Sequence, residues 1–187
     1  QDHAERMTPL ERERFLANMA QDAERLSRLV RRLMELAQAD LRMDRVDERT
    51  DATQILAAIA DGLGGSDFSI RIDLPSILPR LAIDADALEA ALTTLAENAR
   101  QAGAKVLSIT ATLAGDNVRL DLVDDGPGVP SADTVRVFDP FFTSKRDQGG
   151  TGLGLSIARS LLQAYRGSLE LLPSTSGAHF RITIGAA

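Results

Sequence analysis

Leu16, Met19, Ala23, Leu26, Val30, Leu33 and Ala37 recur at alternating spacings of three and four, and Leu29, Met34 and Leu36 widen the stripe. This pattern predicts a heptad-patterned helix of about 30 residues. A capping box opens it: Thr8 caps, Pro9 takes the first helical position and Glu11 reaches back. Such a stripe is covered either by partner helices, most simply in a dimeric bundle, or by a surface of its own domain.

From about Arg45 the period changes. Asp51 to Leu63 reads as a short helix ending in glycine-rich turn residues, and Phe68 to Leu74 alternates like a strand. Leu81 to Ile83 predicts a brief strand, after which Asp84 or Asp86 caps a helix running to Gly103. Val106–Leu113 and Val118–Val123 alternate around Ala114–Asn117 and predict a hairpin. A loop-rich segment over residues 124–150 leads to a helix from about Gly152 to Tyr165. A last hairpin follows, Gly167–Leu172 and Ala178–Ile184, turned at Ser174–Gly177. Three helices and about five mostly antiparallel strands make an α+β layer.

Composition narrows the class. The chain has 187 residues, 44% hydrophobic and 26% charged, as expected of a globular protein with one good core and an appendage. No apolar run approaches the ~18–20 residues of a membrane span. Neither membrane contact nor a secretory signal is expected of this segment. Gln1 stands where an initiating methionine would, so the chain is expected to be a piece of something longer. The absence of cysteine excludes disulfides and cysteine-based zinc sites and fits a cytoplasmic setting. A net charge of −6 argues against nucleic acid as a direct partner. An acidic protein that handles phosphates needs a metal ion or backbone donors to do so.

Three stretches carry candidate chemistry. In Leu95-Ala-Glu-Asn-Ala99, Asn98 falls on the same helical face as Leu88, Ala91, Leu95 and Ala102. A buried asparagine there is satisfied either by a neighbouring carbonyl or by a hard cation at its amide oxygen. In Val123-Asp-Asp-Gly-Pro-Gly-Val-Pro130, Asp124 ends a strand and is followed by Gly126 and Gly128, which allow close backbone approach. Its carboxylate only accepts hydrogen bonds and suits an exocyclic amine such as adenine's, although the same residues also make an ordinary turn. The third stretch joins Phe138-Asp-Pro-Phe-Phe-Thr-Ser-Lys145 to Gly149-Gly-Thr-Gly-Leu-Gly-Leu155. Gly150, Gly152 and Gly154 open a helix whose free N–H groups can meet phosphate. The spacing fits neither a P-loop nor a dinucleotide fingerprint. The phenylalanines serve either as core anchors or as anchors of a ligand lid.

Taken in order on one α+β domain, these stretches resemble the four ATP-site boxes of the sensor histidine kinase catalytic domain, in the superfamily shared with gyrase, Hsp90 and MutL. Asn98 matches the N box; Asp124, Gly126 and Gly128 the G1 box. Phe138, Pro140, Phe141 and Phe142 match the F box; Gly150, Gly152 and Gly154 the G2 box. The short lid is similar to that of nitrogen-regulation sensor kinases. The resemblance implies a two-layer α/β sandwich of the Bergerat type over residues 47–187. It further implies that residues 1–46 are part of a dimerisation and phosphotransfer domain, its second helix. By the same resemblance Asn98 would bind Mg2+, Asp124 would read the adenine amine, Gly126, Gly128, Phe138 and Phe142 would also belong to the nucleotide site, and Gly150, Thr151, Gly152, Leu153 and Gly154 would cradle phosphate. Lys145 would pair with the phosphates and, with Asn98, serve the transfer.

Departures from the family pattern sharpen the reading. Gyrase-like ATPases carry a general-base glutamate where this chain has Thr94. Glu97 adjoins Asn98 but sits one helical step, about 100°, off its face, which makes it a poor substitute, so free ATP hydrolysis is not expected. Gln101 replaces a lysine, with Arg100 as stand-in. His3 precedes the Thr8 cap, is followed by Ala4 rather than an acidic residue and does not fit the phosphoacceptor pattern; the acceptor is expected on a helix upstream. His179 is expected to be structural. The resulting expectation is an ATP- and Mg2+-dependent histidine kinase core working as a homodimer through the helical bundle, with a response regulator receiver domain as partner. An anti-sigma-type serine kinase and a degenerate ATP-binding module signalling through its helix are the alternatives.

Overall fold

The computed structural model describes residues 49–144 and 151–187, all within the compact unit Arg42–Ala187. The heptad stripe, its Thr8 capping box, His3, Lys145 and Gly150 lie outside the described residues.

Helix α1 (Ala52–Leu63) starts where the Asp51 carboxylate accepts from Thr53 N–H, and it buries Ala52, Leu56 and Ile59. Strand β1 (Ser69–Asp73) follows. Helix α2 (Ala85–Gln101) is capped by Asp84, which accepts from the N–H groups of Asp86 and Ala87. Leu88, Ala91, Leu92, Leu95 and Ala99 form its buried stripe at helical spacing. Strands β2 (Val106–Ala114) and β3 (Asn117–Asp124) make a hairpin in which Ala114 opposes Asn117. Its turn is Gly115–Asp116, and Gly115 takes a φ of +63°. Helix α3 (Gly154–Ala164) and strands β4 (Ser168–Leu172) and β5 (His179–Gly185) complete the unit.

The sheet order is β1-β2-β3-β5-β4. β1 and β2 are parallel, joined by the α2 crossover, and every other pairing is antiparallel. Alternate residues of each strand enter one core with the buried faces of the three helices: Leu107 and Ile109, Leu120 and Leu122, Ile182 and Ile184 from the sheet, with Leu56, Leu88 and Leu162 from the helices. The result is a two-layer α+β sandwich, as the resemblance implies.

Two elements differ from expectation. Leu81 makes isolated bridges to Thr50 and Ala186 instead of starting a strand. The ladder stops because Ile83 N–H turns back to Leu81 C=O and Asp84 already caps α2. Helix α3 begins at Gly154, two residues later than expected, because Gly152 is left-handed with φ of +68°.

Candidate functional site

A cavity of about 800 Å³ opens between α2, the loop after β3, the segment leading into α3 and the start of β5. Its volume lies in the range of a small-molecule site. Asn98, Asp124, Gly128, Phe142, Thr151, Gly152 and Gly154 all line it, so four stretches spread over 57 positions (98–154) converge on one space.

Asp124 is the last residue of β3 and only 7% exposed. Its Oδ1 accepts from Gly126 N–H at 2.9 Å and from Ala178 N–H at 3.1 Å, while its own N–H donates to Ala178 C=O. Oδ2 has no partner among the described residues. A buried acceptor without a donor is costly, on the order of 1–3 kcal/mol, so this oxygen suits a ligand that brings one. The neighbouring Asp125 does a different job. Backbone N–H groups of Val106 and Lys105 donate to its Oδ1 and hold the carboxyl below the usual carboxylate range, fastening the end of β3 to the start of β2.

Asn98 is half-buried, not buried as its helical face implied, because it flanks the buried stripe of Leu95 and Ala99 and borders the cavity. Its amide has no hydrogen-bond partner among the described residues, which leaves the oxygen free for a cation. Among the described residues no three acidic or histidine side chains gather as a metal cage, so a cation here would take most of its oxygens from a ligand and water. Thr94, Glu97 and Gln101 border the cavity from the same face of α2. The sequence puts Glu97 one helical step off the face of Asn98. Asn98 is indeed about 100° away from it, yet the face of Thr94, Glu97, Asn98 and Gln101 is centred between the two.

The aromatic stretch divides its labour. Phe138 is 9% exposed and packs edge-on against Phe180 at 6.3 Å, with the Arg159 guanidinium 5.0 Å over its ring. It is a core anchor and does not border the cavity, whereas Phe142 does, with Arg136 4.8 Å above it. Phe141 takes a left-handed φ of +66°, and its N–H donates to Gly152 C=O at 2.8 Å. A Cβ on Gly152 would stand 2.5 Å from Phe141 carbonyl carbon. Gly152 is therefore glycine for the close approach of the aromatic segment as well as for any phosphate. Gly126 and Leu153 also lie off the lining; Gly126 acts through its N–H on Asp124, and Leu153 is the N-cap of α3.

Sequence reasoning overlooked Ala178, Phe180 and Asp133 on the lining. The alternation of β5 marked Phe180 as inward-facing, but only the pairing of β5 with β3 shows what it faces. The described lining holds the carboxylates of Glu97, Asp124 and Asp133 and no lysine or arginine.

The family described as histidine kinase-, DNA gyrase B- and HSP90-like ATPase matches residues 83–187, and the chain belongs to it. Within that family the similar proteins are sensor histidine kinases. The sensor histidine kinase ZraS of Escherichia coli is 31% identical over 156 residues, which are 82% of this chain and 33% of that protein. The alginate biosynthesis sensor protein KinB of Pseudomonas aeruginosa is 31% identical over 140 residues, 74% of this chain and 22% of its own length. Among solved structures, the histidine kinase AdeS of Acinetobacter baumannii superposes with a TM-score of 0.61 at 26% identity, over 91% of this chain and 83% of that one. The mycobacterial sensor histidine kinase MprB shares the fold, with a TM-score of 0.67 at 22% identity over 74% of this chain and 98% of that one. The chain thus spans about a third of the length of ZraS, and its folded unit is an ATP-binding catalytic domain of the histidine kinase type. Among the described residues no helix is long and apolar enough to cross a membrane.

Proposed function

We propose that this chain is the kinase core of a two-component sensor. It binds ATP with Mg2+ and passes the γ-phosphoryl group to a histidine nitrogen on a helical bundle, for relay to an aspartate of a response regulator receiver domain. The P–N bond forms as the bond between the γ-phosphorus and the β,γ-bridging oxygen breaks, and ADP leaves. Residues 47–187 are the catalytic domain in this reading. Residues 1–46, with their heptad stripe, belong to the dimerising bundle.

One observation carries the reading: Asp124 is a buried carboxylate lining a nucleotide-sized cavity, with one oxygen occupied by backbone donors and the other without a partner among the described residues. An adenine amine is the donor that oxygen lacks. Also on the cavity wall, Thr151, Gly152 and Gly154 lead into α3, where helix N–H groups favour an anion. Asn98 would hold Mg2+, which offsets phosphate charge in a cavity whose described side chains carry only negative charge. Lys145 would add a cation from the sequence next to Ser144.

Calorimetry of the full chain with Mg-ADP tests this. Wild type should bind, and Asp124→Ala should lose about 2 kcal/mol, roughly 30-fold, with the acceptor gone. Asn98→Ala should bind ADP alike with Mg2+ or EDTA. No binding by wild type, or unchanged affinity in Asp124→Ala, would exclude the reading.

A further inference from the structure

The turn between β4 and β5 crowds Asp124 more closely than a sheet connection requires. Gly177 takes a φ of +68°, and a Cβ there would stand 1.7 Å from Asp124 C=O oxygen and 2.8 Å from Oδ1. Gly128 meets the same turn from the other side: its Cβ would stand 2.9 Å from Gly177 C=O oxygen. Backbone from two segments, the loop after β3 and the β4–β5 turn, therefore closes around one carboxylate. Two of those contacts are the N–H groups of Gly126 and Ala178, and both are spent on Oδ1.

A terminal carboxylate torsion is broad, and a free aspartate turns either oxygen toward a ligand. Here any rotation short of exchanging the two equivalent oxygens would abandon two hydrogen bonds in a buried site. We infer that Gly177 and Ala178 are positioning residues that pin Oδ1 of Asp124, so that the group at the Oδ2 position alone reads the purine at C6. The inference rests on the nucleotide reading above and adds to it a specificity mechanism. With a pinned carboxylate, the free oxygen accepts from an amine at C6 and rejects a carbonyl there.

The pinning makes a substitution at 124 behave in a particular way. In Asp124→Asn the two N–H donors demand an acceptor, so the amide oxygen occupies the Oδ1 position and the NH2 takes the place of Oδ2. That NH2 opposes an amine and welcomes a carbonyl. Were the side chain unpinned, the amide would turn its oxygen to the amine and keep the original preference.

Competition calorimetry with Mg-ADP and Mg-IDP, which differ at C6 of the base, reads this directly. Wild type should favour ADP by about tenfold or more, and Asp124→Asn should favour IDP. Added to Asp124→Asn, Gly177→Ala, which displaces the turn, and Ala178→Pro, which deletes the N–H donor, should return the preference to ADP, because the freed amide turns its oxygen to the amine. A merely structural defect would weaken both nucleotides and leave their ratio intact. ADP preference retained by Asp124→Asn, or IDP preference unchanged when a folded turn substitution is added to it, would overturn the pinning. Should neither turn variant fold, the Asp124→Asn ratio decides alone. Failure of wild type to bind ADP would instead remove the underlying reading, so the two failures are distinct.

Discussion

Glu97 shows how one residue changes meaning between helix geometry and cavity geometry. With Asn98 on one flank of the exposed face of α2 and Glu97 on the other, a carboxylate and an amide border the same space. Thr94 between them in projection is not a free hydroxyl, since its Oγ1 donates to Ala90 C=O at 2.8 Å. A carboxylate beside bound phosphates repels them, and the repulsion is largest when no cation intervenes. Glu97→Gln should therefore tighten ADP binding in EDTA by about two- to fivefold, equivalent to roughly 0.5–1 kcal/mol at a solvated site. With Mg2+ the gain should shrink. Weaker binding of Glu97→Gln in EDTA would show that the carboxylate helps the nucleotide instead.

Strands β3 and β5 hold the site together through a polar cluster on the sheet face opposite the core. Asp121 Oδ1 accepts from Arg181 Nε at 2.9 Å and lies 2.6 Å from His179 Nε2. Burial pushes the Asp121 carboxyl up, but its hydrogen bonds and charge pairing with Arg181 and His179 outweigh this and leave it below its ordinary value. A folded-state value below the unfolded one stabilises the fold at pH above the unfolded range, and that contribution is lost as pH falls through the folded value. The stability difference between wild type and Asp121→Asn should thus be full above about pH 5 and shrink below about pH 4. Urea denaturation at neutral pH and near pH 3 checks it; an equal difference at both would contradict the pairing. The strand alternation shows that these side chains share a face, but not that the register sets Asp121 opposite Arg181.

At the scale of the molecule, the described unit is closed by a three-stranded bridge. Thr50 pairs with Leu81, Leu81 with Ala186, and Thr50 Oγ1 donates to Ile83 C=O. Thr50 is thereby fixed to the rest of the described unit. Phosphotransfer also needs an acceptor with a base to take its proton, and His3 is followed by Ala4 rather than an acidic residue. With radiolabelled ATP and Mg2+, His3 should take up no acid-labile phosphate, and His3→Gln should match wild type. Stoichiometric label that disappears in His3→Gln would make His3 an acceptor.

The order of elements, the capped start of α2, the β2–β3 hairpin and the four boxes are all legible along the chain. Each depends on residues within a few positions of one another: an apolar period, a cap or a glycine turn. The periods also separate the inward from the outward face of every strand. They do not say what an inward residue meets. That Phe138 anchors the core while Phe142 borders the cavity, that Gly152 yields to the backbone of Phe141, and that Glu97 joins Asn98 at the site are decided by packing between segments distant in sequence. The pinning of Asp124 by Ala178, 54 positions away, is set by the register of β5 on β3. A two-residue period is the same in every register until a partner strand chooses one.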